Sequence, residues 1–189
     1  MEIFYDGIVL RDPVPGDIDD EIRWMNTDTA WQRADTPWLE TERVDPDALR
    51  EEMAAMMNAP RDTGPRQRLE IAAEGRHAGF VTAYRPEGSL PEGAGEARYP
   101  DAALGIEICE KDLWGRGIGP RALAAFMEYR CRFGEKRFLL ETWSGNARML
   151  RCAAKLGFRE TRRERGAYAV DGVPYDAIVM EKTTEREEE

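Results

Sequence analysis

Apolar and polar positions change their spacing repeatedly along this chain, and each change predicts an element. GIVLRD near the start alternates as a short strand, and DIDDEIRWM after it sets aspartates ahead of Ile18, Ile22 and Met25 at helical spacing. DPDALREEMAAMMN, residues 45 to 58, predicts a second helix, with an Asp cap, proline next, acids in the first turn and an Ala/Met face for the core. RLEIAAEGRHAGFVTAY gives two apolar runs about a short EGR connection, the pattern of an antiparallel hairpin. Residues 85 to 102 are rich in Pro, Gly and Glu and predict an exposed loop.

The second half reads as ALGIEIC (strand), a run of glycines, an amphipathic helix with Pro120 at its first position, RFLLETW (strand), and a helix from Ala147 to Leu156 stopped by Gly157. A long polar strand from Phe158 then runs to a turn at Asp171-Gly172, YDAIVME returns beside it, and TTEREEE, residues 183 to 189, ends the chain as a disordered acidic tail. The order β α α β β β α β α β β contains a parallel pair with its crossover helix around residues 103 to 156, flanked by antiparallel hairpins. The expected class is a mixed-sheet α/β, or α+β, fold in one domain, since 189 residues suffice to bury a single core.

Composition narrows the function. Cys109, Cys131 and Cys152 lack CxxC spacing and read as reduced thiols of an intracellular protein. MEIFYDGIVLRD is not a basic segment followed by an apolar run, and no apolar stretch approaches the roughly 20 residues of a membrane span. The cytoplasm is the expected compartment, with no membrane partner. His77 is the only histidine and Ser89 and Ser144 the only serines, so a Ser/His triad or a multi-histidine metal site has almost nothing to be built from, and no metal is expected. Following EGR, His77 itself reads as a solvated turn residue.

A net charge of -10 argues against nucleic-acid binding. The distribution is uneven: residues 1 to 114 carry 12 basic and 25 acidic side chains, residues 115 to 165 carry 13 and 5, and the remainder 2 and 7. A basic block that begins inside the glycine run points to an anionic ligand there and a cationic one elsewhere, against the alternative of ordinary solvated charge.

The glycine run itself, LWGRGIGPRAL, allows successive backbone N–H groups to turn toward a bulky anion, while the following helix adds its positive end and Arg116 and Arg121 bring full charge to the rim. A purely structural glycine turn is the alternative. A Walker loop is excluded because no GK followed by Ser or Thr is present, and a dinucleotide fingerprint fails because position 122 is Ala.

With WGRGIG, ETWSGNARMLRCAAKLGF and the closing hairpin with its DG turn in this order, the stretch from Leu104 to Lys182 resembles the acyl-CoA-binding half of the GNAT superfamily of N-acyltransferases. Gly117 and Gly119 fit the phosphate-loop pattern, and Trp114 in place of Gln or Arg resembles the branch containing ribosomal-protein N-terminal and spermidine acetyltransferases. The resemblance implies a centrally splayed sheet of about seven strands flanked by about four helices. It also implies an acceptor-side half over 1–102, an acetyl-CoA-binding half over 103–182, and acetyl-CoA as cosubstrate without a metal.

On the same resemblance, ALGIEIC is the strand that pantetheine pairs with, Gly117, Ile118 and Gly119 meet the pyrophosphate, and Asn146 hydrogen-bonds the cofactor arm. The N–H of Ile108 or Cys109 stabilises the reacting oxygen, and Glu141, five residues before Asn146, or Glu107 acts as base. Arg151 and Lys155, one turn apart, either face the cofactor or form a solvated face. The family tyrosine that protonates the thiolate is replaced by Ala153, leaving Cys152, Tyr129 or Tyr168 as substitutes, or an unassisted departure. In AWQRADTPWLETE, Trp31 and Trp38 either flank a cation countered by Asp35, Glu40 and Glu42, or plug the core under the first helix. The acceptor expected is a small cationic amine or a peptide N terminus. A homodimer, a non-catalytic acyl-CoA-binding module and a nucleotide-binding protein of another class all stay open.

Overall fold

The computed structural model describes residues 1–59, 63–85 and 101–184. Its strands are β1 (Glu2–Tyr5), β2 (Ile8–Arg11), β3 (Arg68–Ala73), β4 (Arg76–Tyr84), β5 (Ala102–Ile108), β6 (Arg137–Trp143), β7 (Arg159–Val170) and β8 (Val173–Thr183). The helices are α1 (Asp17–Asn26), α2 (Ala30–Asp35), α3 (Pro46–Asn58), α4 (Ile118–Cys131) and α5 (Ala147–Lys155). All eight strands form one mixed sheet in the order β1-β2-β3-β4-β5-β6-β8-β7.

Three of its hairpins turn on a pair of residues with positive φ: Asp6-Gly7, Glu74-Gly75 and Asp171-Gly172. Two successive left-handed residues give the turn whose twist matches its flanking strands. The first of these adds β1, an eighth strand beyond the seven expected. A fifth helix, the six-residue α2, is also additional; it is too short to show a helical period.

The two faces of the sheet differ in chemistry because side chains alternate along each strand. Leu69 and Ile71 of β3 join the apolar core with Leu123 and Phe126 of α4. Between them, Glu70 points to the opposite face, under α1, where it is fully buried. There it accepts from Arg68 Nε at 2.8 Å and lies 3.0 Å from His77 Nε2. Arg68 also contacts Glu21, and Arg11 donates to both oxygens of Asp17 at 2.7 and 2.6 Å.

His77 is therefore not a solvated turn residue. The turn ends at Gly75, β4 begins at Arg76, and alternation carries His77 inward, where it is 8% exposed beneath Trp24, ring centroids 4.5 Å apart. The ligand atoms of Glu21, Glu70 and His77 lie within 4.8 Å of one another. The Arg68 guanidinium already spans the two carboxylates as their counter-ion.

Helix α4 begins two residues before Pro120, at Ile118, with Gly117 as a left-handed N-cap. Pro120 still falls in the first turn, where its missing N–H removes no helical bond. At the other end of the chain, β8 runs through Thr183, and the Thr184 N–H donates to Lys136 O at 2.8 Å. Ordered pairing thus reaches into the segment expected as a tail; the rest of it, 185–189, and most of the expected 85–102 loop, 86–100, lie outside the described residues. No helix among the described residues is long and apolar enough to cross a membrane.

One irregularity of the sheet positions the site. The parallel pair β5 and β6 is bonded only at Ala102↔Phe138 and Ala103↔Leu139. Beyond that point β5 stays paired to β4 as far as Ile108, and β6 stays paired to β8 as far as Trp143, so the two strands part and leave a wedge between them.

Candidate active site

The wedge opens into a cleft of about 650 Å³ lined by β5 and β6, the glycine loop, the first turn of α4, one side of α5, and α2. The parity of β5 decides which of its main-chain groups face the cleft. Cys109 N–H donates to Ala78 O at 2.9 Å, toward β4. Ile108 has the opposite parity, and its carbonyl accepts from Trp114 Nε1 at 2.6 Å across the cleft side. Of the two residues, Ile108 lines the cleft, whereas Cys109 is 2% exposed and outside the cleft lining.

At the mouth near α4, Gly115 and Gly117 adopt φ of +79 and +76, and a Cβ built on either would meet nothing within 4 Å. The N–H groups of Ile118 and Gly119 belong to the helix's first turn and have no intrahelical acceptor. The two arginines expected at this rim point elsewhere. Arg116 pairs with both oxygens of Glu74 at 2.9 and 2.7 Å, and Arg121 donates to Asp6 O at 2.5 Å and Gly117 O at 3.1 Å. Each is held by a hairpin turn, outside the cleft lining. The cations that do line the cleft are Arg148, Arg151 and Lys155 of α5, with Arg148 lying 4.0 Å over the Trp114 ring.

Asn146 is the N-cap of α5: its Oδ1 accepts from Met149 N–H at 3.1 Å, which leaves its amide NH₂ as the donor it presents beside the cleft. The turn before it depends on Gly145, where a Cβ would come within 1.8 Å of the Trp143 ring. Thr142 also lines the cleft, with its buried hydroxyl oxygen lacking a hydrogen-bond partner among the described residues. A parted parallel pair, open left-handed glycines, a helix tip and an orphaned hydroxyl fit an elongated ligand with a phosphate group at one end.

The far end of the cleft is acidic and aromatic. Trp31 and Asp35, one turn apart on α2, both line it, as does Trp38. Trp31 donates its indole N–H to Trp24 O at 3.1 Å and meets Phe80 edge-on, and Trp38 stacks on Tyr168. Glu40 and Glu42 are exposed and do not reach the cleft. Glu107 sits on β5 in the cleft wall, its carboxyl pushed well above the usual range by burial and then by the Asp35 charge. Burial also raises Asp35. Glu141, on β6, is exposed and accepts from the Tyr84 hydroxyl at 3.4 Å. Burial, followed by the Glu141 charge, pushes that hydroxyl up to about 12.

Ala153, at the position of the family tyrosine, is packed in the core; of the candidate proton donors, Tyr129 bonds Arg66 N–H at 2.9 Å, away from the cleft. Tyr168 lies at the aromatic end. Cys152 lines the cleft, its thiol pushed up to about 12 by burial. Sequence reasoning did not single out Tyr84, Thr142 and Arg148 as site residues. The signal available for Arg148 was its place in the first turn of the helix capped by Asn146; Tyr84 and Thr142 gave none.

The sheet with its parted central pair and the glycine-capped helix define an acyltransferase fold. The model of the acetyltransferase (GNAT) domain matches residues 8–159, and the chain belongs to the GNAT acetyltransferase family. No curated protein matches the chain significantly. Similar solved structures include YncA, a putative acetyltransferase from Salmonella typhimurium with its cofactor acetyl-CoA, at 17% identity and TM-score 0.66, covering 97% of this chain and 98% of that one. RimL, a ribosomal L7/L12 α-N-protein acetyltransferase in complex with coenzyme A, is 15% identical with TM-score 0.69 over 97% and 98% of the two chains. The Salmonella typhimurium acetyltransferase that modifies the N-terminal serine of 50S protein L7/L12 is 15% identical, TM-score 0.67, over 98% and 100%. At these identities the likeness is one of fold.

Proposed function

We propose that the chain moves an acetyl group from acetyl-CoA to a primary amine, either a small cationic amine or a peptide N terminus, by direct attack within the cleft. The observation that supports this most is the parting of β5 from β6 after Ala103, with a glycine-capped helix at one end of the gap and carboxylates at the other. The donor is chosen because YncA, which shares the fold, is described with acetyl-CoA, and the N-terminal acceptor because RimL acts on one. The compartment we assign is the cytoplasm, in keeping with three free cysteines.

In this reading the amides of Gly117, Ile118 and Gly119 hold the pyrophosphate, Arg151 and Lys155 add charge, and Asn146 donates to the cofactor arm. Residues 103–182 supply this half of the cleft, and α2 in the first half supplies the acceptor wall. Acetyl-CoA supplies an activated thioester, and the cleft-facing N–H of Ile108 orients its carbonyl. An amine with pKa about 10.4 arrives protonated at neutral pH, so a carboxylate must take a proton before nitrogen can attack. Glu141 is our preferred base: it is exposed and passes the proton on to solvent. Glu107 is the second candidate, a carboxyl in the β5 wall of the cleft whose pKa burial and then the Asp35 charge raise. Cys152 is not the acid for the departing thiolate, since a thiol held near 12 does not protonate one whose ordinary pKa is about 8.5.

The test is thiol release from acetyl-CoA across an amine panel. Turnover by wild type that falls by about 10²-fold or more in Glu141→Gln supports the assignment. An equal loss confined to Glu107→Gln moves the base to β5. Tight coenzyme A binding without release from any amine sinks the catalytic reading and favours a binding module.

A further inference from the structure

Tyr84 and Glu141 are joined across a strand that lies between them. Tyr84, on β4, is paired with Ala103 of β5, and Ala103 is paired in turn with Leu139 of β6, the last bonded pair before the two central strands part. Residues paired in this way point to one face of the sheet. Alternation along β6 puts Glu141 on that face as well, the first side chain there beyond the closing pair. Neighbouring strands lie about 4.8 Å apart, so side chains from β4 and β6 must together span about 10 Å to meet. A phenol can lie across that gap only if the residue between is small, and Ala103, fully buried, offers a single methyl. The Tyr84 hydroxyl donates to Glu141 Oε2 at 3.4 Å, and both residues line the cleft. A phenylalanine at 84 would fill nearly the same volume, so what the tyrosine adds is this hydrogen bond.

We infer that Tyr84 is the positioning residue of Glu141: its hydroxyl holds the carboxylate over the point where β5 and β6 part, at the narrow end of the wedge. The catalytic consequence rests on the acetyl-transfer reading with Glu141 as base, but the link between the two side chains stands on its own geometry. An exposed glutamate on a strand has three side-chain torsions to sample, and a base displaced by about 1 Å loses much of its effect. In the reaction, the ammonium nitrogen gives one proton to Glu141, which passes it to water, and then bonds to the acetyl carbon. The nitrogen loses its second proton to solvent as the C–S bond breaks with its electron pair on sulfur, and the thiolate takes a proton from solvent. Tyr84 keeps its own proton throughout, because burial and then the Glu141 charge push the phenol up to about 12. It therefore donates to the carboxylate and takes no part in the transfer.

The link is tested without turnover, by NMR of the full chain with its tyrosines labelled at Cζ, the Tyr84 signal being assigned by its loss in Tyr84→Phe. In wild type this ring is expected to stay un-ionised past the ordinary midpoint of 10, up to about 12. In Glu141→Gln the midpoint is expected to fall toward 10, the acid constant rising about tenfold. Thiol release from acetyl-CoA then tests the consequence. Tyr84→Phe is expected to lower kcat about tenfold, with the KM for acetyl-CoA and for the amine each within about twofold of wild type. Added to Glu141→Gln, it is expected to cost less than about twofold more, because the group it positions is already gone. Thermal melts check that each variant folds. A Tyr84 midpoint that does not move in Glu141→Gln overturns the inference. So does a kcat unchanged by Tyr84→Phe, a loss that multiplies in full with that of Glu141→Gln, or a loss confined to Glu107→Gln. A midpoint that moves in a protein releasing no thiol with any amine leaves the link standing and removes the transfer reading.

Discussion

Trp38 lies flat on Tyr168, with ring centroids 3.6 Å apart and planes 6° from parallel. One ring follows α2 and the other comes from β7, so the stack joins the two sides of the acceptor end. It exists because β7 is irregular: its register with β8 slips between Glu164 and Tyr168, and Asp176 fastens the slip by accepting from Gly166 N–H at 3.1 Å and Arg163 at 2.8 Å. Tyr168→Ala should cost about 1 kcal/mol of stability, the worth of an aromatic pair. It should raise the amine KM about tenfold by loosening one wall, with the acetyl-CoA KM unchanged. Asp176→Ala, remote from any bound amine, should reproduce the KM effect through the same stack. Two-substrate steady-state kinetics on both variants check this, and a change confined to the acetyl-CoA KM contradicts it.

The left-handed N-cap Gly117 separates strain from ligand contact. Gly117→Ala puts a Cβ on a backbone at φ +76, which costs about 1–2 kcal/mol, and the methyl projects into open space where we place the pyrophosphate. Gly134, at the end of α4, has φ +93 and equally open surroundings, but lies away from the cleft. Gly134→Ala should therefore lose similar stability and keep its coenzyme A affinity, while Gly117→Ala should bind coenzyme A at least about tenfold more weakly. Calorimetry beside thermal melts makes the comparison.

The arginines divide in the same way. Arg116→Ala removes an exposed pair with Glu74, worth about 0.2–1 kcal/mol, and should leave coenzyme A binding within about twofold. Arg151→Ala and Lys155→Ala remove charges that line the cleft and should weaken binding about three- to tenfold, with a shallower dependence on salt than wild type. Titrations at two ionic strengths decide it; equal losses at Arg116 and Arg151 would count against α5 as the charged wall.

Much of this architecture was legible because its signals are local. The hairpin at Asp171-Gly172, the capped α3 and the apolar runs of β3, β4, β5 and β6 each follow from a handful of neighbouring residues. The same rule applied to Asp6-Gly7 predicts β1, but Glu2–Tyr5 shows little polarity contrast and was hidden by it. What was not legible depends on distant partners. Arg116 and Arg121 turn from the cleft because of Glu74 and Asp6, 42 and 115 residues away in sequence. Cys109 is lost to the cleft by strand parity, which register with β4 alone decides. The parting of β5 and β6 has no local signature; family resemblance carried that expectation.

His77 illustrates the same point and carries the last prediction. Burial pushes its pKa down, but the hydrogen bond to Glu70 and the charges of Asp17, Glu70 and Glu21 outweigh this and hold it above 6.5. Asp17 and Asp20 of α1 lie 3.4 and 3.3 Å from Nδ1, and Arg68 and Arg11 oppose the proton from β3 and β2. A raised folded-state pKa gives stability that is complete below the unfolded value of 6.5 and is lost as pH rises through the folded value. Wild type should therefore exceed His77→Gln by about 1.5–3 kcal/mol near pH 6, the range for a hydrogen bond to a charged partner, with the gap narrowing toward pH 9. Being the chain's only histidine, its ring gives a single titrating resonance under selective labelling, so its folded pKa is read directly. A midpoint below 6.5, or a stability gap that widens with alkalinity, would show that this imidazole is buried neutral and that α1 is held down by its arginine pairs alone.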